Sequence, residues 1–430
     1  MKLPKFLSGN TVLKITSLNA VVISIRLVVS VFIQRLLAIS VGEAGIANIG
    51  QVRNLMVMLT STSTLGMFSG IVKYVAEQKE NKPELAKLFS TATVFVILGS
   101  IASALILYFG SSYFSNYLFQ TNDFVYVFEL LAVIVPFIGI NRTVNGVVSG
   151  LSDYKKYAKI ELISYLLATI AILMGLYMSK LEGVIIAIAI APIIQLLVLG
   201  FVFGKTLRTY IDLKHIKLGF NYKNKLLAFT LMSFVSAFLL NYIEINIRTT
   251  VADEININEA GYWTAITFIS KNYMVFATGL FTLYIIPRFA NIHNKKDFKK
   301  EVFNIYKTIL PIFGLGMLLV YLFRNLIIEI IYPDFTGMEP LFKWQLLGDF
   351  IRLCALVLAH QFLAKRLVKS FVVTEVVSLV LFFVLTKIFI QYYGTEGVVM
   401  AHLVRYVIYF ALVIFVIKIY YSNRSSKLSQ

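Results

Sequence analysis

Ten cationic side chains fall inside long apolar stretches of this chain, and six of them are candidates for chemistry: Arg26, Arg53, Arg142, Lys271, Arg352 and Arg405. A charge at the centre of a bilayer costs about 2.5–3.5 kcal/mol on insertion scales. Such residues persist where they face water, meet an anion or reach a helix end. Arg26, Lys271 and Arg405 lie near the middle of their stretches with no acid at helical spacing, and Arg53 and Arg142 lie somewhat off-centre. Arg352 follows Asp349 by three residues and shares its helical face, which suits a neutralised pair as well as a ligand contact. Glu244 and Arg248, four apart, are expected to pair. Arg35, Lys343, Lys387 and Lys307 sit closer to the ends of their stretches and can reach outward. The acids in these stretches are fewer: Glu129, Glu161, Glu244, Asp349 and Glu375. A cavity with surplus cations in a low dielectric attracts an anion, and the planar guanidinium fork matches phosphate. The six cations are therefore the candidate site for a phosphate-bearing substrate. Glu129, Asp349 and Glu375 are candidate carriers of a coupling proton or sodium ion.

Other chemistries have no residues to support them. Cys354 is the one cysteine of the chain, so no internal disulfide forms and no Cys/His metal spacing exists. A Gly-rich loop ending in Lys-Ser/Thr is missing, which removes a nucleotide-phosphate site. No cofactor is expected.

The elements that must position these residues are membrane helices. Of 430 residues, 58% are hydrophobic and 14% charged, and the mean hydropathy is +0.79. Crossing the hydrocarbon core takes about 20 apolar residues. Such runs predict twelve spans at 12–40, 46–77, 84–110, 121–150, 155–179, 182–205, 223–249, 258–287, 299–324, 338–364, 369–393 and 396–420. The alternating ten-residue segments of a β-barrel are absent from the sequence. The basic amino end followed by an apolar run reads as a retained first span. With the amino terminus inside, Lys180, Arg248 and Arg324 are the three connector cations on the outer side. All other connector Lys and Arg fall on the cytoplasmic side, as the positive-inside rule requires. Both termini are then cytoplasmic. The net charge of +18 reflects topology, and nucleic acid is not an expected partner.

Short matches recur at an offset near half the chain length. Glu43-Ala44-Gly45 returns as Glu259-Ala260-Gly261, and Gly66 with Phe68 as Gly279 with Phe281. Glu161 with Ser164 returns as Glu375 with Ser378, and Glu182-Gly183-Val184 as Glu396-Gly397-Val398. Six spans per half make a parallel repeat, the arrangement of transporters that hold substrate between two halves. The predicted architecture is an all-α membrane protein of about twelve transmembrane helices in two six-helix bundles around a central cavity. The bundles cover residues 1–206 and 223–421, with a cytoplasmic linker at 207–222 and a cytoplasmic tail at 422–430. The stretch Ser61-Thr62-Ser63-Thr64-Leu65-Gly66 is expected to permit close helix contact.

Several motifs resemble the Wzx-type flippases of lipid-linked oligosaccharides. They include Leu36-Leu37-Ala38 with Ser40, Gly42 and Ala44-Gly45, and Gly70-Ile71-Val72-Lys73-Tyr74-Val75-Ala76. Trp344-Gln345-Leu346-Leu347-Gly348-Asp349, Ala364-Lys365, Glu375-Val376-Val377-Ser378 and Tyr284-Ile285-Ile286-Pro287-Arg288 look most like the branch acting on the lipid III of enterobacterial common antigen. The resemblance implies two six-helix bundles and an undecaprenyl-pyrophosphate-linked oligosaccharide as substrate, turned from the cytoplasmic to the periplasmic leaflet of the inner membrane. A glycan polymerase and a chain-length regulator are the implied partners. By position in the bundle it places Arg26, Arg53 and Lys271 at the pyrophosphate. Two rival readings are weighed against it. A multidrug or cation antiporter of the same fold is disfavoured by the cationic surplus. A membrane polymerase or glycosyltransferase is disfavoured by outer connectors of only about a dozen residues, at 111–121 and 249–258.

Overall fold

The computed structural model describes residues 11–210 and 218–428, and nearly all of them are helical, with no strand among the described residues. Parts of the predicted linker (211–217) and of the predicted tail (429–430), and residues 1–10, lie outside the described residues. A helix satisfies each backbone N–H and C=O within its own segment, which is what hydrocarbon surroundings demand.

Among the described residues, eight helices are long and apolar enough to cross a membrane. Three of them are each two spans joined at a sharp kink. Thr11–Thr62 turns at Gly42, Tyr154–Tyr210 at Ser179 and Lys180, and Val368–Leu428 at Gly394. Counting each half separately, and adding the helix that begins at Ile257 and runs through a π turn at Phe281–Ile285 to Ala290, gives the twelve spans that the hydropathy predicts. The others are Lys82–Phe109, Val125–Gly150, Lys223–Glu254, Lys295–Leu322 and Leu341–Ala364.

Span two is not the single helix expected over 46–77. It stops at Thr62, passes through a turn at 63–67 with Leu65 and Gly66 at positive φ, and restarts as Phe68–Gln78. The backbone groups freed by the break find partners. Gly66 N–H donates to the Ser61 carbonyl at 2.8 Å, and Thr230 Oγ1 donates to the Leu65 carbonyl at 2.6 Å. Ser103 Oγ donates to Thr62 Oγ1 at 3.0 Å. The small residues that predict close packing also compete with the helix for backbone hydrogen bonds, which explains why the same stretch both breaks the helix and lets its neighbours approach. The predicted outer connectors are likewise ordered: Ser111–Phe119 and Arg324–Ile331 are short helices.

The element order of the first half returns in the second. Lys82–Phe109 followed by Ser111–Phe119 recurs as Lys295–Leu322 followed by Arg324–Ile331, and the kink at Lys180 recurs at Gly394. Gly183 and Gly397 occupy matching places just past these kinks. A Cβ on Gly183 would run into the Gly175 carbonyl, and one on Gly397 into the Phe389 carbonyl. Hydrogen alone fits where two helices touch backbone to backbone at their shared turn.

Two compact units result, one of residues 1–41 with 48–242 and one of 42–47 with 243–430. In the first, Tyr222 is a fixed point just before helix Lys223–Ser233. Its backbone N–H donates to Thr91 Oγ1 at 3.2 Å and its phenol donates to Glu84 Oε2 at 2.8 Å. Lys225 lies 4.5 Å over its ring. Burial and the Glu84 carboxylate push the Tyr222 phenol up to about 12, so it stays protonated and donating at physiological pH.

Replacing Gly183 or Gly397 by leucine is expected to lower stability by at least about 1–3 kcal/mol, the usual range for an overpacked contact. Thermal unfolding of the purified detergent-solubilised variants would show earlier melting, and unchanged melting would contradict the backbone contact.

Candidate functional site

The first unit holds an open cavity of about 500 Å³ on the faces of five spans. Arg26 reaches it from the first helix, Arg53 from the half-helix after the Gly42 kink, and Arg142 from Val125–Gly150. Glu161 and Gln195 come from the two halves of Tyr154–Tyr210. Three of the six predicted cations, 27 and 89 residues apart along the chain, therefore line one space.

Their positions are held by polar partners from distant helices. Arg26 Nη1 donates to Glu161 Oε2 at 2.9 Å, and its guanidinium stands 5.0 Å from the Tyr165 ring centroid. The Tyr165 phenol donates to the Arg26 carbonyl at 3.1 Å. Gln195 Nε2 donates to the second Glu161 oxygen at 3.1 Å, Asn141 Nδ2 to Gln195 Oε1 at 2.8 Å, and Asn145 Nδ2 to Asn141 Oδ1 at 3.2 Å. These amides form a one-way chain that fixes each orientation. Arg142 stacks 3.5 Å from the Phe68 ring centroid, which desolvates one face of the guanidinium and leaves its edge for a ligand. The arrangement can bind an anion with planar, multidentate hydrogen bonds.

The other three predicted cations belong to the second unit. Lys271 Nζ donates to Glu244 Oε2 at 2.7 Å. Glu244 therefore serves Lys271, on another helix. Arg248, the partner expected four residues on, also interacts electrostatically with Glu244; it is buried, donates through Nε to Thr264 Oγ1 at 2.7 Å and stacks 5.1 Å from the Trp263 ring centroid. Arg352 Nη1 approaches Asp349 Oδ1 at 3.7 Å, as the three-residue spacing predicts. Arg405 is buried, donates to Ser378 Oγ at 2.8 Å and to the Tyr406 phenol at 3.3 Å, and stacks on Phe382 and Tyr406.

Asp349 is fully buried. Besides Arg352 it accepts from Ser270 Oγ at 2.5 Å, from the Tyr273 phenol, from Gln345 Nε2 at 3.0 Å and from His402 Nε2 at 3.1 Å. Glu375 accepts from the Tyr409 phenol at 2.5 Å. Glu129, the third predicted acid, is exposed on Val125–Gly150 and does not line the cavity.

Sequence reasoning missed the partners. Glu161 lies 135 residues from Arg26, and His402 lies 53 residues from Asp349, so helical spacing carries no trace of either contact. One signal existed. Glu161 repeats as Glu375, and the same offset takes Gln195 to Tyr409. In both units the repeated acid accepts from the next span at the equivalent position.

Twelve spans in a duplicated order, with buried charges arranged around internal spaces, define a multi-pass membrane transporter. The sequence profile of the family described as "Polysaccharide biosynthesis protein" matches residues 45–335. This chain belongs to that family. It is 26% identical over 391 residues to the lipid III flippase of Escherichia coli (strain K12), covering 90% of this chain and 94% of the relative. It is 21% identical over 366 residues to a putative O-antigen transporter of Shigella flexneri, covering 80% and 83%. Among solved structures, an inward-facing multidrug resistance MATE family transporter of the MOP superfamily superposes with a TM-score of 0.76 at 12% identity, covering 91% of this chain and 94% of that one. The lipid II flippase MurJ in an inward closed conformation superposes with a TM-score of 0.70 at 15% identity, covering 93% and 87%. These two likenesses establish the fold.

Removing one side of a buried ion pair leaves an uncompensated charge, a loss of about 3–5 kcal/mol. Asp349→Ala is therefore expected to sharply reduce the folded yield. Asp349→Asn, which keeps the shape and part of the hydrogen bonding, should lose less. Size-exclusion profiles and melting of the two variants would reveal that order, and an inert Asp349→Ala would contradict the buried cluster.

Proposed function

We propose that this chain is a flippase that moves an undecaprenyl-pyrophosphate-linked oligosaccharide from the cytoplasmic to the periplasmic leaflet of the bacterial inner membrane. One observation carries the reading: Arg26, Arg53 and Arg142 line a single cavity in the first unit. A pyrophosphate offers the planar acceptor edges that arginine forks match, and a polar glycan beside it fits the amides Asn141, Asn145 and Gln195. The names of the relatives, a lipid III flippase and a putative O-antigen transporter, point to the same substrate class.

In this reading the bundles 1–206 and 223–421 alternate access about the linker 207–222, and both termini are cytoplasmic. The pyrophosphate leaves water for the arginine-lined cavity, so its transfer does not incur the full expense of a bare charge in hydrocarbon. The prenyl tail stays in lipid. In this reading Lys271, Arg352 and Arg405 are the candidate substrate-binding cations of the second bundle. Asp349 and Glu375 are the candidate sites for a coupling ion. The transport step makes and breaks no covalent bond, and the chain acts as a transporter rather than an enzyme. A glycan polymerase and a chain-length regulator are the partners that would consume the flipped lipid.

Complementation of a strain lacking its own lipid-linked oligosaccharide flippase tests the proposal. Wild type is expected to restore surface glycan. Arg26→Ala and Arg53→Ala at equal expression are expected to reduce it about tenfold or more, since each removes charge-assisted hydrogen bonds worth about 1.5–3 kcal/mol. Rescue by wild type with both variants fully active would overturn the arginine site. Failure of wild type across several glycan backgrounds would overturn the flippase reading and favour an antiporter.

A further inference from the structure

The arginine cavity of the first unit already contains an anion, Glu161. Its carboxylate is engaged on both sides, by Arg26 at 2.9 Å and by Gln195 at 3.1 Å. The Gln195 amide is turned toward it because Asn141 donates into the Gln195 carbonyl, and Asn145 orients Asn141 in turn. Three residues on two other spans therefore present this carboxylate to Arg26. The Arg26 side chain is nevertheless 42% exposed, against 22% for Glu161, so the guanidinium is held from behind and open in front.

We propose that Glu161 is an internal counter-anion that competes with the phosphate groups of the substrate for Arg26 and so sets how readily the substrate is released. This rests on the flippase reading above and adds a determinant of turnover to it. The charge balance supports it. Three guanidiniums and one carboxylate leave the cavity with a net double positive charge. A pyrophosphate bridging a lipid and a sugar carries about one negative charge on each phosphate. With Glu161 ionised, the loaded cavity is close to neutral. Without it, one uncompensated positive charge would hold the substrate more tightly in either facing state. Binding energy that stabilises the bound state without stabilising the barrier slows passage. Glu161 acts through Arg26 and is a positioning residue.

A purely structural role for Glu161 predicts the opposite sign. If the carboxylate served only to hold Arg26 in place, weakening it would loosen the guanidinium and weaken substrate binding. Glu161→Gln separates the two cases, because glutamine keeps the size and one acceptor oxygen, which can face Arg26, while removing the charge.

The experiment is a calorimetric titration of the full-length protein in nanodiscs with farnesyl pyrophosphate, alongside surface glycan in the complemented strain. Glu161→Gln is expected to bind the probe about 2- to 5-fold more tightly, the range for losing a competing, partly exposed ion pair, while restoring less surface glycan than wild type at equal expression. In the Arg26→Ala background the same change should have no effect on affinity, because the two residues act as a pair. Weaker or unchanged binding by Glu161→Gln overturns the counter-anion and, if Arg26→Ala still weakens binding, leaves the flippase site intact. Equal binding by wild type, Arg26→Ala and Arg53→Ala overturns the anion site itself.

Discussion

Charge is expensive in hydrocarbon, and the interior of this protein is organised around that expense. Cations on apolar helices are met by groups arriving from other helices: Arg26 by Glu161, Lys271 by Glu244, Arg405 by Ser378. Asp349 shows how far this goes. Its carboxylate is reached by Ser270, Tyr273, Gln345 and His402 as well as by Arg352. Ser270, Tyr273 and His402 each tie another span to Asp349, so the buried charges also fix the packing of helices whose apolar faces would pack equally well against lipid.

This constraint decides how much could be read from the sequence. The spans themselves are a local property: an apolar run of sufficient length has no alternative to a helix in a bilayer, and the predicted limits at 84–110 and 369–393 fall close to the observed elements. The repeat was legible because a duplication leaves residue matches in order. The helix break at 63–67 was not legible. Hydropathy averages over the small residues that cause it, and the outcome depends on Thr230 being present to satisfy the freed Leu65 carbonyl.

The candidate site divides along the same line. That Arg26, Arg53 and Arg142 needed an explanation followed from composition alone. That these three share a cavity depends on how the spans are arranged, which no spacing along the chain encodes. Asp349 with Arg352 was legible because both lie on one helix. Glu244 shows what that rule leaves out: besides the cation four residues on, whose charge it feels, a lysine from the following span donates to its carboxylate at 2.7 Å. Intrahelical spacing indicates which residues can meet, and tertiary packing decides which of them do.

The repeat separates inherited scaffold from added function. At the 214-residue offset, Glu161 matches Glu375, Ser164 matches Ser378 and Gly183 matches Gly397. These residues shape the kink and the acid between paired spans in each unit. The cations do not match. At that offset Arg26 corresponds to Leu240, Arg53 to Thr267 and Arg142 to Leu356, while Lys271 corresponds to Val57, Arg352 to Ile138 and Arg405 to Ala191. Positive charge therefore sits at different places in the two halves of a duplicated frame. The acid is common to both halves; in the first unit it meets an arginine, whereas in the second it accepts from a neutral tyrosine donor. A symmetric scaffold with asymmetric charge suits a substrate that is itself asymmetric, with a doubly charged pyrophosphate at one end of its head group and a neutral glycan at the other.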